Sequence, residues 1–328
     1  MREKKINKMN SLREIAEQLK NRDNFLLIGH KIPDGDCIGS ILGLYMGLSS
    51  LHKKVTMFLS DPIPSIYFYL PFVDLIADQL PPQNAIENII FLDCTDMGRV
   101  DEGIAQSLNK DATIFNIDHH ISNQFFGDFN YVDASASATA EIIYELLLAG
   151  GIPITADIAN PLYAGIVMDT GNFKYNNTSA KTHRIAADLL EYGVDLESTR
   201  INLFESKPIG EVLLLGKALQ NFNRSKDGKI AWMLLSYQDI DVLGVHGLHP
   251  EGLINYTRMI DGVQIGLIFR EIEPGLIKIG FRSKKDIDVS LIAKELGGGG
   301  HKLAAGATQE GNLATVSAKV IKLVEAVL

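Results

Sequence analysis

The apolar run Thr113-Ile114-Phe115-Asn116-Ile117 stops on Asp118-His119-His120. Three other apolar runs stop on metal-binding side chains: 25–28 before His30, 89–92 before Asp93, and 165–168 before Asp169. In the first of these loops His30, Asp34 and Asp36 stand four and two residues apart. Pro33 and Gly35 can turn the loop so that one imidazole and two carboxylates aim at adjacent points. Imidazoles mixed with several carboxylates suit a borderline octahedral ion, manganese ahead of calcium or a thiolate-bound zinc, with magnesium, cobalt and iron also compatible. Two such ions about 3.5–4 Å apart can share bridging carboxylates, activate a water and clamp both oxygens of a phosphoryl transfer. Hydrolysis of a phosphate ester is the chemistry that needs this arrangement. A lone aspartate after a strand is more often a helix cap or a solvated loop residue, so the weight rests on four such segments in order. His120 is expected to contact the scissile phosphate or the leaving oxygen, with packing beside His119 as the alternative. Asp118 is expected to orient an imidazole.

These residues need elements that bring four distant stretches together. Ser11-Leu12-Arg13-Glu14 fits a capping box, and Leu12, Ile15 and Leu19 recur at helical spacing, which predicts a helix over 11–20. Strands are expected at 25–29, 54–59, 89–92 and 113–117, with helices at 37–49, 65–70, 101–109 and 138–149. Alternation of this kind implies an α/β fold with a mostly parallel sheet, in which residues at the carboxyl ends of neighbouring strands converge on one crevice. Helices are expected at 156–168 and 180–192, and one more over 203–223 with Pro208 near its start. Beyond Lys226-Asp227-Gly228 come strand-like runs at 229–236, 263–270 and 276–282, a helix at 289–296, the glycine run 297–300 and a helix at 312–327. The resulting organisation is a metal-bearing domain over 1–200, a helical connector over 201–225 and a smaller α/β domain over 226–328.

The chain has 328 residues, 46% of them hydrophobic, enough for about two domains with a sizeable core. Its net charge of −9 argues against a broad basic face for long duplex DNA or an anionic membrane, while short anionic substrates remain suitable. No uninterrupted apolar run approaches the roughly 18 residues of a membrane span. The basic start runs into a charged amphipathic stretch instead of a leader's apolar segment. Cys37 and Cys94 are too few for a disulfide framework and read as small buried hydrophobes. A cytoplasmic enzyme is expected, and a homodimer stays open.

The glycine run has an ordinary reading as a loop. Four glycines before His301 and close to a helix also let backbone amides approach an anion, to which His301 and Arg282 would add charged donors. Arg282 and Ser283, at the end of an expected strand, are candidates for gripping the terminal phosphate or base-bearing end of a nucleotide, together with Gly298, Gly299, Gly300 and His301. Arg99 could contact substrate or pair with Asp96; Lys302 and Arg270 are weaker candidates.

Taken together, Gly29-His30-Lys31-Ile32-Pro33-Asp34-Gly35-Asp36, Asp93-Cys94-Thr95-Asp96, Asp118-His119-His120 and Met168-Asp169-Thr170-Gly171 resemble the four ordered motifs of the DHH phosphoesterase family. Phe281-Arg282-Ser283-Lys284 and the stretch from Gly297 through His301 to Ala307 resemble that family's C-terminal substrate-binding domain, and the nanoRNase/pAp phosphatase branch is the group most similar. The resemblance implies two manganese ions, one held by His30, Asp34 and Asp93, the other by Asp36, Asp93, His119 and Asp169, with Asp93 bridging and a water as nucleophile. Lys31, Ile32 and Cys37 depart from the pattern only at positions that are not ligands. The implied reaction is hydrolysis of short 5′-phosphorylated RNA, including pApA and pGpG, to mononucleotides, and removal of the 3′-phosphate of pAp, with the second domain gripping one nucleotide end across a cleft.

Three other readings compete. A single-strand exonuclease of the RecJ type would usually bring extra nucleic-acid-binding modules. An inorganic pyrophosphatase or exopolyphosphatase would share the metal site but has less use for a nucleotide-type C-terminal motif. A non-catalytic nucleotide sensor would have little need of a full ligand set.

Overall fold

Ser11 closes a capping box: its Oγ accepts the Glu14 N–H at 3.2 Å and Glu14 Oε2 accepts the Ser11 N–H at 2.7 Å. In this computed structural model, which describes residues 9–246, 252–284 and 287–328, the helix that follows is α1 (Leu12–Lys20). The chain divides into two units, Met1–Ser206 and Lys207–Leu328. The first unit continues through β1 (Phe25–Ile28), α2 (Gly35–Ser50), β2 (Val55–Phe58), β3 (Asn88–Leu92), α3 (Glu102–Ser107), β4 (Thr113–Asp118) and β5 (Phe129–Val132). It ends with α4 (Thr139–Ala149), α5 (Ala156–Asp169), α6 (Ala180–Glu191) and α7 (Leu196–Arg200), which runs on into a π-helical turn, Ile201–Glu205.

The five strands of this unit are all parallel, in the order β2-β1-β3-β4-β5. β1 and β3 are buried along their whole length, as strands covered on both faces must be. β5 was not expected, and its alternating half-buried pattern gives the reason: at the sheet edge only every second residue meets the core. The helix expected over 65–70 is a single 3-10 turn, Ser65–Tyr67, with Pro62, Pro64 and Pro71 around it to stop propagation.

Glycines set how closely α2 meets α5. A Cβ on Gly39 would lie 2.2 Å from the Pro161 carbonyl oxygen, and one on Gly43 would lie 2.5 Å from a Leu162 methyl. With hydrogen in those places the two backbones approach closely. The first turn of α2, carrying Asp36, is thereby held against the α5 end that carries Asp169: a Cβ on Gly165 would stand 3.2 Å from an Asp36 oxygen. The apolar run before Asp169 is therefore a helix, whereas those before His30, Asp93 and Asp118 are strands.

The second unit consists of α8 (Ile209–Gln220), β6 (Phe222–Arg224), β7 (Ile230–Leu235), α9 (Tyr237–Val242), α10 (Leu253–Met259), β8 (Ile265–Glu273), β9 (Leu276–Ser283), α11 (Val289–Glu295), β10 (Gly299–His301), β11 (Ala304–Glu310) and α12 (Leu313–Glu325). Its sheet runs β10-β11-β9-β8-β7-β6, antiparallel except between β7 and β8. The single helix expected over 203–223 is not formed. Ser206 leaves helical geometry, Pro208 starts α8 anew, and residues 222–224 pair with β7 as a strand. The glycine run is only in its first half a loop. Gly299, Gly300 and His301 pair with Gly306, Ala305 and Ala304, and a Cβ on Gly300 would strike the Ala304 carbonyl at 2.6 Å. No helix among the described residues is long and apolar enough to cross a membrane.

Candidate metal centre

β1 and β3 are neighbours although β2 lies between them in sequence, so strand order reverses at that pair, and the crevice beyond such a switch point is where open α/β sheets bind ligands. His30 follows β1 there and Asp93 follows β3. Asp93 has a left-handed backbone, φ 59°, a conformation a non-glycine residue keeps only when its surroundings enforce it. Its N–H donates to the Ile117 carbonyl at 3.1 Å and its Oδ1 accepts the Thr139 hydroxyl at 3.0 Å.

The sequence-predicted ligands assemble into two groups that share Asp93. In one, His30 Nε2 lies 3.3 Å from Asp93 Oδ2 and 3.7 Å from Asp34 Oδ1. In the other, His119 Nε2 lies 3.7 Å from Asp93 Oδ1, 3.7 Å from Asp169 Oδ2 and 3.9 Å from Asp36 Oδ2. Each imidazole turns its other nitrogen to a backbone carbonyl, His30 Nδ1 to Lys31 at 2.9 Å and His119 Nδ1 to Ala136 at 3.3 Å. A proton on Nδ1 leaves the Nε2 lone pair facing the carboxylates, the tautomer a metal requires.

The electrostatics favour positive charge among these side chains. Burial drives Asp36 well above the ordinary carboxylate range, and repulsion from Asp93, Asp169 and Asp34 drives it further. Asp169 is pushed up to about 6, chiefly by burial, with Asp93 and Asp34 adding to it. Burial would lower His30, but hydrogen bonds to Asp34 and Asp93 outweigh it and raise its pKa to about 10. Four carboxylates around two imidazoles form a hole for positive charge, and oxygen and nitrogen donors with no thiolate fit hard or borderline divalent ions. The cysteines stay outside this set, since burial pushes both thiols up and Cys94 donates to the Leu92 carbonyl.

His120 is held differently. Its Nδ1 lies 2.7 Å from Asp118 Oδ1, and Asp118, fully buried, also accepts the His119 N–H at 2.8 Å and the Asn123 side chain at 2.6 Å. That carboxylate raises the pKa of His120. Burial would raise Asp118, yet the bonds from His120 and Asn123 hold it below its usual range. Asp118 thus fixes the orientation of the half-buried His120 ring. Arg99 is exposed after β3, and Asp96 caps Gly98 and accepts the Thr95 hydroxyl.

In the second unit a cavity of about 420 Å³ is lined by Arg270, Lys278, Arg282, Gly299, Gly300 and His301. Alternation along β9 puts Lys278, Gly280 and Arg282 on the face opposite Phe281 and Ser283. Ser283 is therefore a correction to the expected set: it is buried, and its hydroxyl donates to the Ile287 carbonyl at 2.6 Å. Gly298 does not line the cavity either; a Cβ there would meet the Gly306 carbonyl at 2.1 Å, so it is needed for packing on β11. Lys278, not singled out from the sequence, shares this face of β9 with Arg282 and lines the same cavity.

Residues 24–166 match the DHH family, N-terminal domain, and residues 237–327 match the DHHA1 domain. The bifunctional oligoribonuclease and PAP phosphatase NrnA of Thermus thermophilus is 34% identical over 304 residues, covering 92% of this chain and 89% of that protein. The protein of the same name in Bacillus subtilis is 31% identical, covering 90% of this chain and 92% of that one. Among solved structures, an exopolyphosphatase-related protein from Bacteroides fragilis superposes with a TM-score of 0.85 at 25% identity, covering 96% of this chain and 95% of that one. A parallel sheet whose carboxyl edge gathers acids and imidazoles, followed by a DHHA1 domain, places this chain in the DHH family of metal-dependent phosphoesterases, as a hydrolase of phosphoester bonds.

Proposed function

We propose that the protein is a manganese-dependent enzyme that hydrolyses short 5′-phosphorylated oligoribonucleotides and linear dinucleotides such as pApA and pGpG to mononucleotides, and converts pAp to AMP. The observation that carries this reading is the approach of both His30 and His119, each with further carboxylates, to Asp93, in a chain whose relatives are named oligoribonuclease and PAP phosphatase. His30, Asp34 and Asp93 would hold one ion, and Asp36, Asp93, His119 and Asp169 the other. Divalent ions so bound lower the pKa of water and neutralise phosphate charge. Asp93 orients both groups from its fixed left-handed backbone. His120, whose pKa the Asp118 carboxylate raises, would give a hydrogen bond to the scissile phosphate or a proton to the leaving oxygen. Arg282 and His301, beside the side-chain-free backbone of Gly299 and Gly300, supply side-chain donors suited to a terminal phosphate.

The test is incubation with manganese and a panel of pApA, pGpG, 5′-phosphorylated RNA of two to twenty nucleotides, pAp and polyphosphate. Mononucleotides from the shortest RNAs, lost with EDTA, are expected. The Bacteroides neighbour's description favours polyphosphate as a second reading, and phosphate release from polyphosphate alone would replace the nucleotide reading with it.

A further inference from the structure

Five residues that are not candidate ligands, Ala136-Ser137-Ala138-Thr139-Ala140, reach four of the residues that are. The Ala136 carbonyl faces His119 Nδ1 at 3.3 Å. The Ser137 carbonyl accepts Asn177 Nδ2 at 2.9 Å, and the same amide donates to Asp169 Oδ2 at 3.2 Å. The N–H groups of Thr139 and Ala140 donate to the two oxygens of Asp36 at 2.6 and 2.8 Å. The Thr139 hydroxyl donates to Asp93 Oδ1 at 3.0 Å. We propose that Thr139 is a positioning residue of the metal centre: through its hydroxyl and its backbone N–H it locks Asp93, the carboxylate common to both groups, in register with Asp36.

Three features support this role. Thr139 is fully buried, and the carboxylate it meets belongs to a residue whose backbone is strained, so Asp93 needs an outside hold. Helix α4 starts at Thr139 with no side-chain cap of its own, its cap position being Ala138; Asp36 serves as the cap from another helix. The segment is itself clamped. Glu141, also fully buried, accepts the Ser137 N–H at 3.2 Å, the Ser137 hydroxyl at 2.7 Å and the Thr182 hydroxyl at 3.2 Å, and pairs with Lys181 at 3.2 Å. A buried carboxylate is a costly way to stabilise a helix and a good way to fix one arrangement.

The inference rests on the metal-centre reading, and the test separates the two. Manganese is titrated into metal-free wild type, Thr139→Val and Thr139→Ser, the free ion is counted by electron paramagnetic resonance, and each protein is melted in EDTA. Thr139→Val, nearly isosteric, is expected to weaken manganese uptake about tenfold, the low end for an outer-shell partner, while its metal-free melting temperature falls by only about 2–4 °C, the cost of one buried hydrogen bond. Thr139→Ser, which keeps the hydroxyl, is expected to restore uptake. Equal uptake by wild type and Thr139→Val would overturn the inference alone, and so would equal impairment of the valine and serine variants. If wild type takes up no manganese, the reading of the centre falls and the inference with it.

Discussion

The two candidate sites are opposites in charge and in construction. At the metal centre Asp36, Asp93 and Asp118 are buried, and each accepts at least one hydrogen bond from a group outside the ligand set. In the second unit the charges are cationic, stand on a strand face, and end in an exposed His301. There Arg282 donates to its own Phe281 carbonyl at 3.0 Å, a bond it can exchange for a ligand. A site that must hold ions at fixed separation is built rigidly from buried acids. A site that captures a phosphate needs only reachable donors of the right sign. Single substitutions should therefore be severe at the first and graded at the second.

The sharpest break comes at Asp93. Asp93→Asn keeps the shape but removes the charge shared by both groups, and phosphoesterase activity is expected to fall about 10³-fold, equivalent to about 4 kcal/mol of lost transition-state stabilisation. Manganese binding measured alongside should weaken for both groups. A loss under tenfold, with binding intact, would show that Asp93 is not the common element.

The second break uses pH. Metal-free protein holds a proton on His30 up to about pH 10, and that proton must leave before Nε2 can bind an ion. Manganese affinity should therefore rise by up to about tenfold per pH unit between pH 7 and 9. Stability has the opposite sign. His30 is raised above its usual 6.5, so its contribution to the metal-free fold is full below pH 6.5 and is lost as pH climbs through about 10. Asp169, raised from 3.8 to about 6, acts in the same direction at lower pH. Melting in EDTA from pH 5 to 10 should show a decline that His30→Gln reduces above pH 6.5. A His30→Gln profile identical to wild type would sink the assignment of that proton.

The difference in construction also decides what the sequence could disclose. His30, Asp93 and Asp118 were legible because strands that end on polar residues put them at one sheet edge, a local signal. Thr139 and Asn177 carried no such signal: their roles exist only because α2 and α5 are packed close enough for Asp36 and Asp169 to meet the start of α4. The glycine run was legible as a place near a helix where backbone comes close, and it does follow α11. It pairs with β11, and that register was invisible until Gly306 was seen opposite Gly299. The helix expected over 203–223 failed for a local reason, Pro208, whose effect is read too weakly when apolar spacing continues on both sides.

The finest contrast lies between adjacent residues of β9. Arg282 and Ser283 were expected to act together at the end of one strand, but a strand sends successive side chains to opposite faces, and here one lines the cavity while the other enters the core. Arg282→Ala removes a charged donor, and KM for a dinucleotide should rise about tenfold, near the 1.5 kcal/mol low end for a hydrogen bond to a charged group, with kcat changed far less. Ser283→Ala removes a buried hydroxyl and leaves the Ile287 carbonyl without that donor, a stability loss of about 1 kcal/mol with KM unchanged. The two variants should thus separate cleanly, one visible in kinetics and the other in melting. If Ser283→Ala raised KM as much as Arg282→Ala at unchanged stability, the face assignment of β9 would be wrong, and with it the placement of the phosphate beside Arg282 and His301.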